Sequence, residues 1–599
     1  MLLRYQIQAQ PAFEHRYRVR CHLPEALPDQ RLRLPAWIPG SYLIRDFARH
    51  VIALSARDAA GRALAVTKRD KSTWQVAHAG GPLDLVWEVY ARDGSVRGAY
   101  LDREWAFFNG TSVFLQPLDV PVIGIEVDVA APDPAWRLAT ALAPVAVDAQ
   151  GFGRYAAPDY ETLIDSPVLM GPLTQQSFAV AGVPHHLQVL GADPGADVAR
   201  LAADLARICA WQAALFGALP MDRYHFLLRL AGEGYGGLEH RLSSALLAQR
   251  KTLPLRGEAG MSDDYADLLG LCSHEYFHSW LVKRIRPAPL ASADLTTEAY
   301  TRQLWVFEGI TSYYDELALL RSGCIIQAQF LGRLARTLTR LARTPGRRID
   351  SVADASFDAW IKLYKPDEAT PNHTVSYYTK GSVIALCLDL LLRRESAGAS
   401  SLDDILRALW TRHGATGEPL PEGGFEALVA ELAGEAVAAP LRDWVYGRAE
   451  LPVAELLAPF GVTLHWASAR DARDTGGYGP PPAAGRRRDA GLRWRATSEG
   501  LRVEWLAPDG SAARAGMACG DVLVALEGRR LDAERLERLL QIDGERAPMI
   551  GHGFRDDRLM TYSLVLDAAP EDACWLELRG AGAAPTRSGL DWLGAGVGG

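Results

Sequence analysis

The apolar residues of this 599-residue chain change their spacing part-way along, and that change points to a multidomain α+β protein. Up to about residue 170 they alternate with polar neighbours: Tyr17, Val19, Cys21 and Leu23, then Leu83, Leu85, Trp87 and Val89, then Ile125, Val127 and Val129. Period two sets one face of each strand on a core and the other in water, and the Pro and Gly between these runs supply turns. This predicts a β-sandwich-like N-terminal domain over 1–170. From about 195 the spacing is helical. Ser262 reads as an N-cap, with Asp263 and Asp264 where the helix dipole favours carboxylates, and the helix is expected to run to about Val282. A second helix is expected over roughly 298–322, stopping at Gly323. A third, roughly 325–343, puts Leu331, Leu334, Leu338 and Leu341 on one stripe, leaving Arg333, Arg336, Arg340 and Arg343 to read as a solvated face.

Residues 470–489 are rich in Gly and Pro and end near Arg486, Arg487 and Arg488, which is linker chemistry. They separate a region at 171–469 from a compact domain at 490–580, and the Gly/Ala-rich end reads as a frayed terminus. Net charge is −8, so a general nucleic-acid partner, which would need a basic face, is not expected. Seven cysteines stand singly, with no C-x-x-C, which argues against a disulfide framework or a Cys-type zinc site. The start, Met1-Leu2-Leu3-Arg4-Tyr5-Gln6, lacks the apolar stretch of a signal peptide, and Val383–Leu392 is too short for a membrane span and carries Asp389. A cytoplasmic protein with no membrane partner is the expectation.

The chemistry centres on His274-Glu275-Tyr276-Phe277-His278, an H-E-x-x-H inside a predicted helix. Residues four apart stack on one helix face, so both imidazoles can reach one metal ion, with Glu275 beside it to take a proton from a bound water. A chain of this composition should contain about 0.02 such matches by chance. Glu308 follows on the next predicted helix, with 29 residues between it and His278, in the apolar stretch Trp305-Val306-Phe307-Glu308-Gly309-Ile310. A buried carboxylate is costly unless compensated, and metal coordination would compensate it. Two His, one Glu and a water make an open catalytic zinc site, with one zinc per chain expected.

With these residues the chain resembles the gluzincin metallopeptidases, and more closely the glycyl-aminopeptidase family. The resemblance rests on Trp37-Ile38-Pro39-Gly40-Ser41-Tyr42 and the residues to Arg49, Gly236-Gly237-Leu238-Glu239-His240, His274 to His278 with Lys283-Arg284-Ile285-Arg286-Pro287, and Tyr378-Thr379-Lys380-Gly381. It implies an N-terminal β-rich domain, a thermolysin-like catalytic domain with a helical half and a C-terminal PDZ domain, the last carried by Ser511 to Leu523 with turn glycines Gly516 and Gly520. It also implies that Glu239 receives a substrate's free α-amino group and that Tyr378 stabilises the tetrahedral oxyanion; Tyr377 is the neighbouring alternative. Apart from the resemblance, His225–Leu230 reads as a strand, Ala231–Gly237 as a glycine-rich turn including Gly236 and Gly237, and Glu239 as the opening of the next strand, an edge able to dock a peptide. His240 stands where related aminopeptidases carry Asn, and reads as a core or supporting residue.

The expected activity is zinc-dependent removal of the N-terminal residue from peptides with a free amino terminus, with a preference for Gly or Ala implied only by the resemblance. Two rivals stand beside it. One is a zinc endopeptidase on the same scaffold. The other is a peptide-binding adaptor whose protease core is degenerate and whose PDZ domain does the binding.

Overall fold

The computed structural model describes residues 1–11, 14–483, 485–543, 547–578 and 592–594. The Gly/Ala-rich end otherwise lies outside them. The chain divides into two compact units: Met1–Tyr300 with Ser322–Cys324 and Leu406–Pro421, and Thr301–Arg321 with Ile325–Ile405 and Glu422–Gly599.

The first unit opens on an eight-stranded sheet around Leu2–Ala9, which pairs antiparallel with Arg16–Ala26 and parallel with Gly124–Val129. The alternation read from sequence is the alternation seen. Tyr5 lies opposite Cys21 and Ile7 opposite Val19, and all four are buried. Two four-stranded sheets complete this β-rich region. Its core also takes in Leu227, Leu238 and Ala245 from a second, five-stranded sheet. Each large apolar side chain so buried contributes about 1.5–3 kcal/mol.

That second sheet runs β1 (Thr174–Val180), β2 (Val183–Leu190), β3 (Tyr224–Ala231), β4 (Gly236–Glu239) and β5 (Ser243–Gln249), in the order β1-β2-β3-β5-β4. β2, β3 and β5 are parallel; β4 is an antiparallel edge strand, with Glu239 opposite Ser244. Glu239 therefore closes its strand rather than opening it, because the glycine-rich turn ends earlier and Gly236 and Gly237 already pair with Leu247 and Leu246. Helices α1 (Val198–Phe216) and α2 (Asp263–Phe277) belong to the same unit. The Ser262 side chain accepts the Tyr265 N–H at 3.1 Å, so the expected cap is present. α2 stops at Phe277, short of the expected Val282. Val282 has φ of +86°, a left-handed backbone that no β-branched residue could hold inside a helix.

The second unit is led by α3 (Ile310–Arg321), α4 (Gln327–Ala342) and α5 (Thr379–Glu395). α3 ends before Gly323, which has φ of +71°, as expected for a C-terminal glycine. Its start differs: 298–303 are not helical, and Trp305–Gly309 form a π-helical turn leading into it. The arginines of α4 do not all form a solvated face. Arg333 is buried against Glu316, and Arg343 pairs with Asp572 at 2.8 Å. The 470–489 stretch, expected as a linker, holds two short paired segments, Gly477–Tyr478 and Arg488–Asp489. Strand Glu571–Leu578 returns across it to pair with Val462–Ser468. A tail sheet with its own core, built on Leu501, Val503, Leu523 and Tyr562, accounts for most of the remainder. No described helix is long and apolar enough to cross a membrane.

Candidate functional site

In the first unit, α2 carries His274 half-buried and Glu275 and His278 buried. The two imidazole centroids are 4.7 Å apart with ring planes at 87°. His278 Nδ1 lies 3.0 Å from the Leu281 carbonyl oxygen, which can only accept. The proton is therefore on Nδ1, and the lone pair on Nε2. The helix is held from behind. Gln212 donates to the Ser273 carbonyl and hydroxyl at 3.0 and 2.8 Å, and the Tyr224 hydroxyl donates to the Glu275 carbonyl at 3.3 Å.

Edge strand β4 runs against this helix. A methyl group on Gly237 would overlap the Glu275 carboxylate and push it aside. Arg97, from the β-rich region, donates to the Gly237 carbonyl at 3.2 Å. Glu239, at the strand's end, is 3% exposed. One oxygen of Glu239, one of Glu275 and one ring nitrogen of His278 all fall within 4.8 Å of one another. Among the described residues, Glu239 Oε1 is buried with no hydrogen-bond partner. The Trp37–Tyr42 loop lies over this carboxylate: Gly40 has a φ of +93°, which favours glycine, and a methyl group there would push the carboxylate aside. Trp37 Nε1 pins the loop by donating to the Thr297 carbonyl at 2.9 Å.

Beyond Glu239 the chain is fastened by Asp165. Its carboxylate takes the Arg241 N–H at 2.8 Å, Lys283 Nζ at 2.9 Å and His240 Nδ1 at 3.1 Å. Burial opposes its ionisation, but Lys283 and His240 outweigh burial and hold the carboxyl well below the ordinary range. His240 is thus a supporting residue. The segment Lys283–Pro287 gains a meaning: Lys283 ties to Asp165, Arg284 donates to the Arg241 carbonyl at 3.2 Å, and Arg286 pairs with Glu161 at 3.4 Å.

In the second unit, Glu308 sits in the π-helical turn, 2% exposed. A π-turn inserts one residue into the helical ladder, a feature concentrated at functional sites. The turn packs on the start of α5 backbone to backbone. A methyl on Gly309 would lie 2.6 Å from the Gly381 Cα and 2.9 Å from the Tyr377 carbonyl oxygen. Glycine at both 309 and 381 is what allows this approach, and it sets Glu308 beside the Tyr377–Tyr378 corner. The two phenol rings stack at 4.7 Å; Tyr377 is fully buried, whereas Tyr378 is partly exposed and shares a 3.3 Å contact between hydroxyls with Tyr364. Burial pulls the Lys380 ammonium below its usual value.

Sequence reasoning missed Asp165, Arg97, Gly40 and Tyr364 as parts of this machinery. Gly40 and Lys283 lay inside quoted motifs without an assigned task. Nothing local marks Asp165, 74 positions before Glu239.

The chain matches the Peptidase M61 N-terminal domain over residues 4–172 and the M61 glycyl aminopeptidase domain over residues 267–384. A solved structure of an aminopeptidase N family protein from Idiomarina loihiensis is 36% identical, with a TM-score of 0.95, over 99% of this chain and 100% of that one. An M1 zinc metallopeptidase from Deinococcus radiodurans is 14% identical, with a TM-score of 0.48, over 76% of this chain and 95% of that one. The comparison with curated proteins returned no match.

Proposed function

The chain belongs to the M61 glycyl aminopeptidase family and is a metallo-aminopeptidase, and from that premise we propose that it removes N-terminal residues from peptides using one zinc ion held by His274, His278 and Glu308. The donor set fits zinc. Two imidazoles one turn apart, one with its tautomer fixed by a carbonyl, and a buried carboxylate are nitrogen and oxygen ligands of the right kind and number for an open site. When bound, zinc supplies Lewis acidity towards a carbonyl and an acidified water.

Glu275, buried beside the two His, takes the water's proton and passes it to the departing amine. Tyr378, the less buried residue of the adjacent pair, donates its hydroxyl hydrogen to the oxyanion. Gly236 and Gly237 offer the edge of β4 to an extended peptide. Glu239 holds the α-ammonium, so the bond presented for cleavage is the first one. The observation that carries this reading is the buried Glu239 carboxylate, one oxygen of it unpartnered, roofed by Gly40 and adjacent to Glu275. A cation completes such a site. A preference for N-terminal Gly or Ala follows from the family's description alone. The tail, with its Ser511–Arg514 helix, its turns at Gly516 and Gly520 and its strand at Val522–Leu526, is read as a PDZ module that engages a peptide segment.

The deciding experiment compares free and N-acetylated peptides. Acetylation should abolish cleavage by the wild type. Glu239→Ala should keep zinc yet lower kcat/KM on free peptides by about 30- to 1000-fold, or about 2–4 kcal/mol. Equal cleavage of both peptides by the wild type, with internal cuts, would make the protein an endopeptidase instead. Zinc binding without turnover would favour the adaptor.

A further inference from the structure

Arg97 stands beside the proposed peptide track, two residues along β4 from Glu239. Arg97, β4 and Glu275 all belong to the first unit. The Arg97 Nη2 donates to the Gly237 carbonyl at 3.2 Å, and a methyl group on Gly236 would lie 3.8 Å from Nη1. Among the described residues the guanidinium makes no other hydrogen bond and no ion pair, and Nε is buried without a partner. A part-buried cation with open donors is a site for an anion. The backbone beneath it is fixed. Ser95 Oγ accepts the Arg97 N–H at 3.2 Å, the buried Asn109 donates to the Val96 carbonyl at 2.8 Å, and Arg229 donates to the Gly94 carbonyl at 2.8 Å.

Gly237 lies two residues before Glu239, about 7 Å along an extended strand. The Glu275 carboxylate rests against the same glycine. One short stretch of edge strand thus has a carboxylate at one end, a guanidinium at the other and Glu275 against it. A peptide lying along β4 with its ammonium on Glu239 reaches Arg97 after two or three residues, at about 3.3–3.6 Å each. There the Gly237 carbonyl, an acceptor that a longer strand-added peptide would use, is already taken. Resting on the aminopeptidase reading, we infer that Arg97 sets substrate length: it receives the C-terminal carboxylate of peptides two or three residues long. Guanidinium–carboxylate pairing is strong and bidentate, whereas a C-terminal amide of the same size gives the fork no charge to match. The preference is therefore read most cleanly between the acid and the amide of one peptide.

The test uses the full-length, zinc-loaded chain with Gly-Ala, Gly-Ala-Ala and a hexapeptide of one glycine and five alanines, each as free acid and as C-terminal amide. Wild type should favour acid over amide by at least about tenfold in kcat/KM for the two short peptides, mainly through KM, and should not distinguish the hexapeptides. In the Glu275→Gln chain, where turnover is too slow to interfere, calorimetry should find Gly-Ala-Ala bound at least about tenfold more tightly than its amide. Arg97→Gln should bring both ratios close to one. Arg97→Lys keeps the charge but not the fork, and should give intermediate ratios. Wild-type ratios of one or below overturn the inference, even if a variant fails to fold. So do ratios that survive Arg97→Gln, which would make Arg97 a brace for β4, and an acid preference as large for the hexapeptide as for the tripeptide. In each of these cases continued cleavage of Gly-arylamide, with none of acetylated peptides, leaves the aminopeptidase reading standing. If acetylated peptides are cut and no free-amine substrate is, that reading fails and takes the length preference with it.

Discussion

Helix α2 and the π-helical turn at Trp305–Gly309 each contribute buried ligand candidates, but they are written into the chain in different ways. α2 is a regular helix with a serine cap, and the four-residue spacing of His274 and His278 puts both rings on one face. The turn carrying Glu308 takes its shape from elsewhere. It is wound irregularly where Gly309 meets Gly381, 72 positions away in sequence, and no local spacing announces that. The first half of the site is coded by period, the second by contact. Substitutions should expose that difference.

The largest effects fall where the two halves are equal. His274→Ala and Glu308→Ala should each strip zinc and abolish activity, since each would remove one of the three proposed ligands. Metal analysis beside an arylamide assay checks this. If Glu308→Ala retained zinc and turnover, the contact-coded half would have no part in the metal site.

Next come changes that spare the metal. Glu275→Gln keeps the shape but cannot take a proton, so zinc stays and kcat falls by at least about 10²-fold. Tyr378→Phe should cost roughly 10²-fold in kcat, with metal content unchanged. Tyr377→Phe, in a fully buried ring, should act on stability more than on kcat. The reverse order would move the oxyanion donor one residue back.

Legibility follows the same division. The strands of the β-rich region could be read because every second residue is buried, as Tyr5, Ile7, Val19 and Cys21 show. His274, Glu275 and His278 could be read because a helix converts spacing into geometry. The end of α2 could not, because it depends on the left-handed backbone at Val282. Nor could the Asp165 clamp, in which one carboxylate from a distant segment fixes His240, Arg241 and Lys283 together. The arginines of α4 misled for the same reason: periodicity reports a polar face but not the Glu316 and Asp572 that bury parts of it.

Glycine packing gives a sharper probe. Gly309→Ala or Gly381→Ala adds a methyl within 3 Å of backbone atoms that cannot swing away. The overpacking should cost about 1–3 kcal/mol and weaken zinc affinity together with stability. Alanine at an exposed position of α4, such as Arg340→Ala, should do neither. Calorimetric melts with and without zinc separate the two. A Gly309→Ala protein with wild-type zinc affinity would mean that the π-turn tolerates repacking and that Glu308 is placed by its own helix after all.

The smallest effect tests how far contact coding extends. Asn372 lies in the segment leading to Tyr378, and its side-chain amide bonds the tail twice: Nδ2 donates to the Leu506 carbonyl at 3.0 Å, and Oδ1 accepts Trp505 Nε1–H at 2.9 Å. The amide acts as a peptide group would at a sheet edge, so the tail is bonded to the approach to Tyr378. Asn372→Ala removes both bonds and leaves an indole N–H and a carbonyl to find water or remain unpaired, at about 0.5–1.5 kcal/mol each. Stability of the second unit should fall by about 1–3 kcal/mol in a urea melt. Because the segment keeps its own turns, with Thr370 capping Asp367 and Ser376 bonding the Thr379 N–H, kcat should drop by less than about tenfold and KM should hold. Cutting the chain at 486 should be worse than Asn372→Ala, since it also removes Asp572 from Arg343 and strand Glu571–Leu578 from Val462–Ser468. If the truncated chain matched the wild type in both melting and kcat, the tail would be a passenger, and contact coding would end at Gly381.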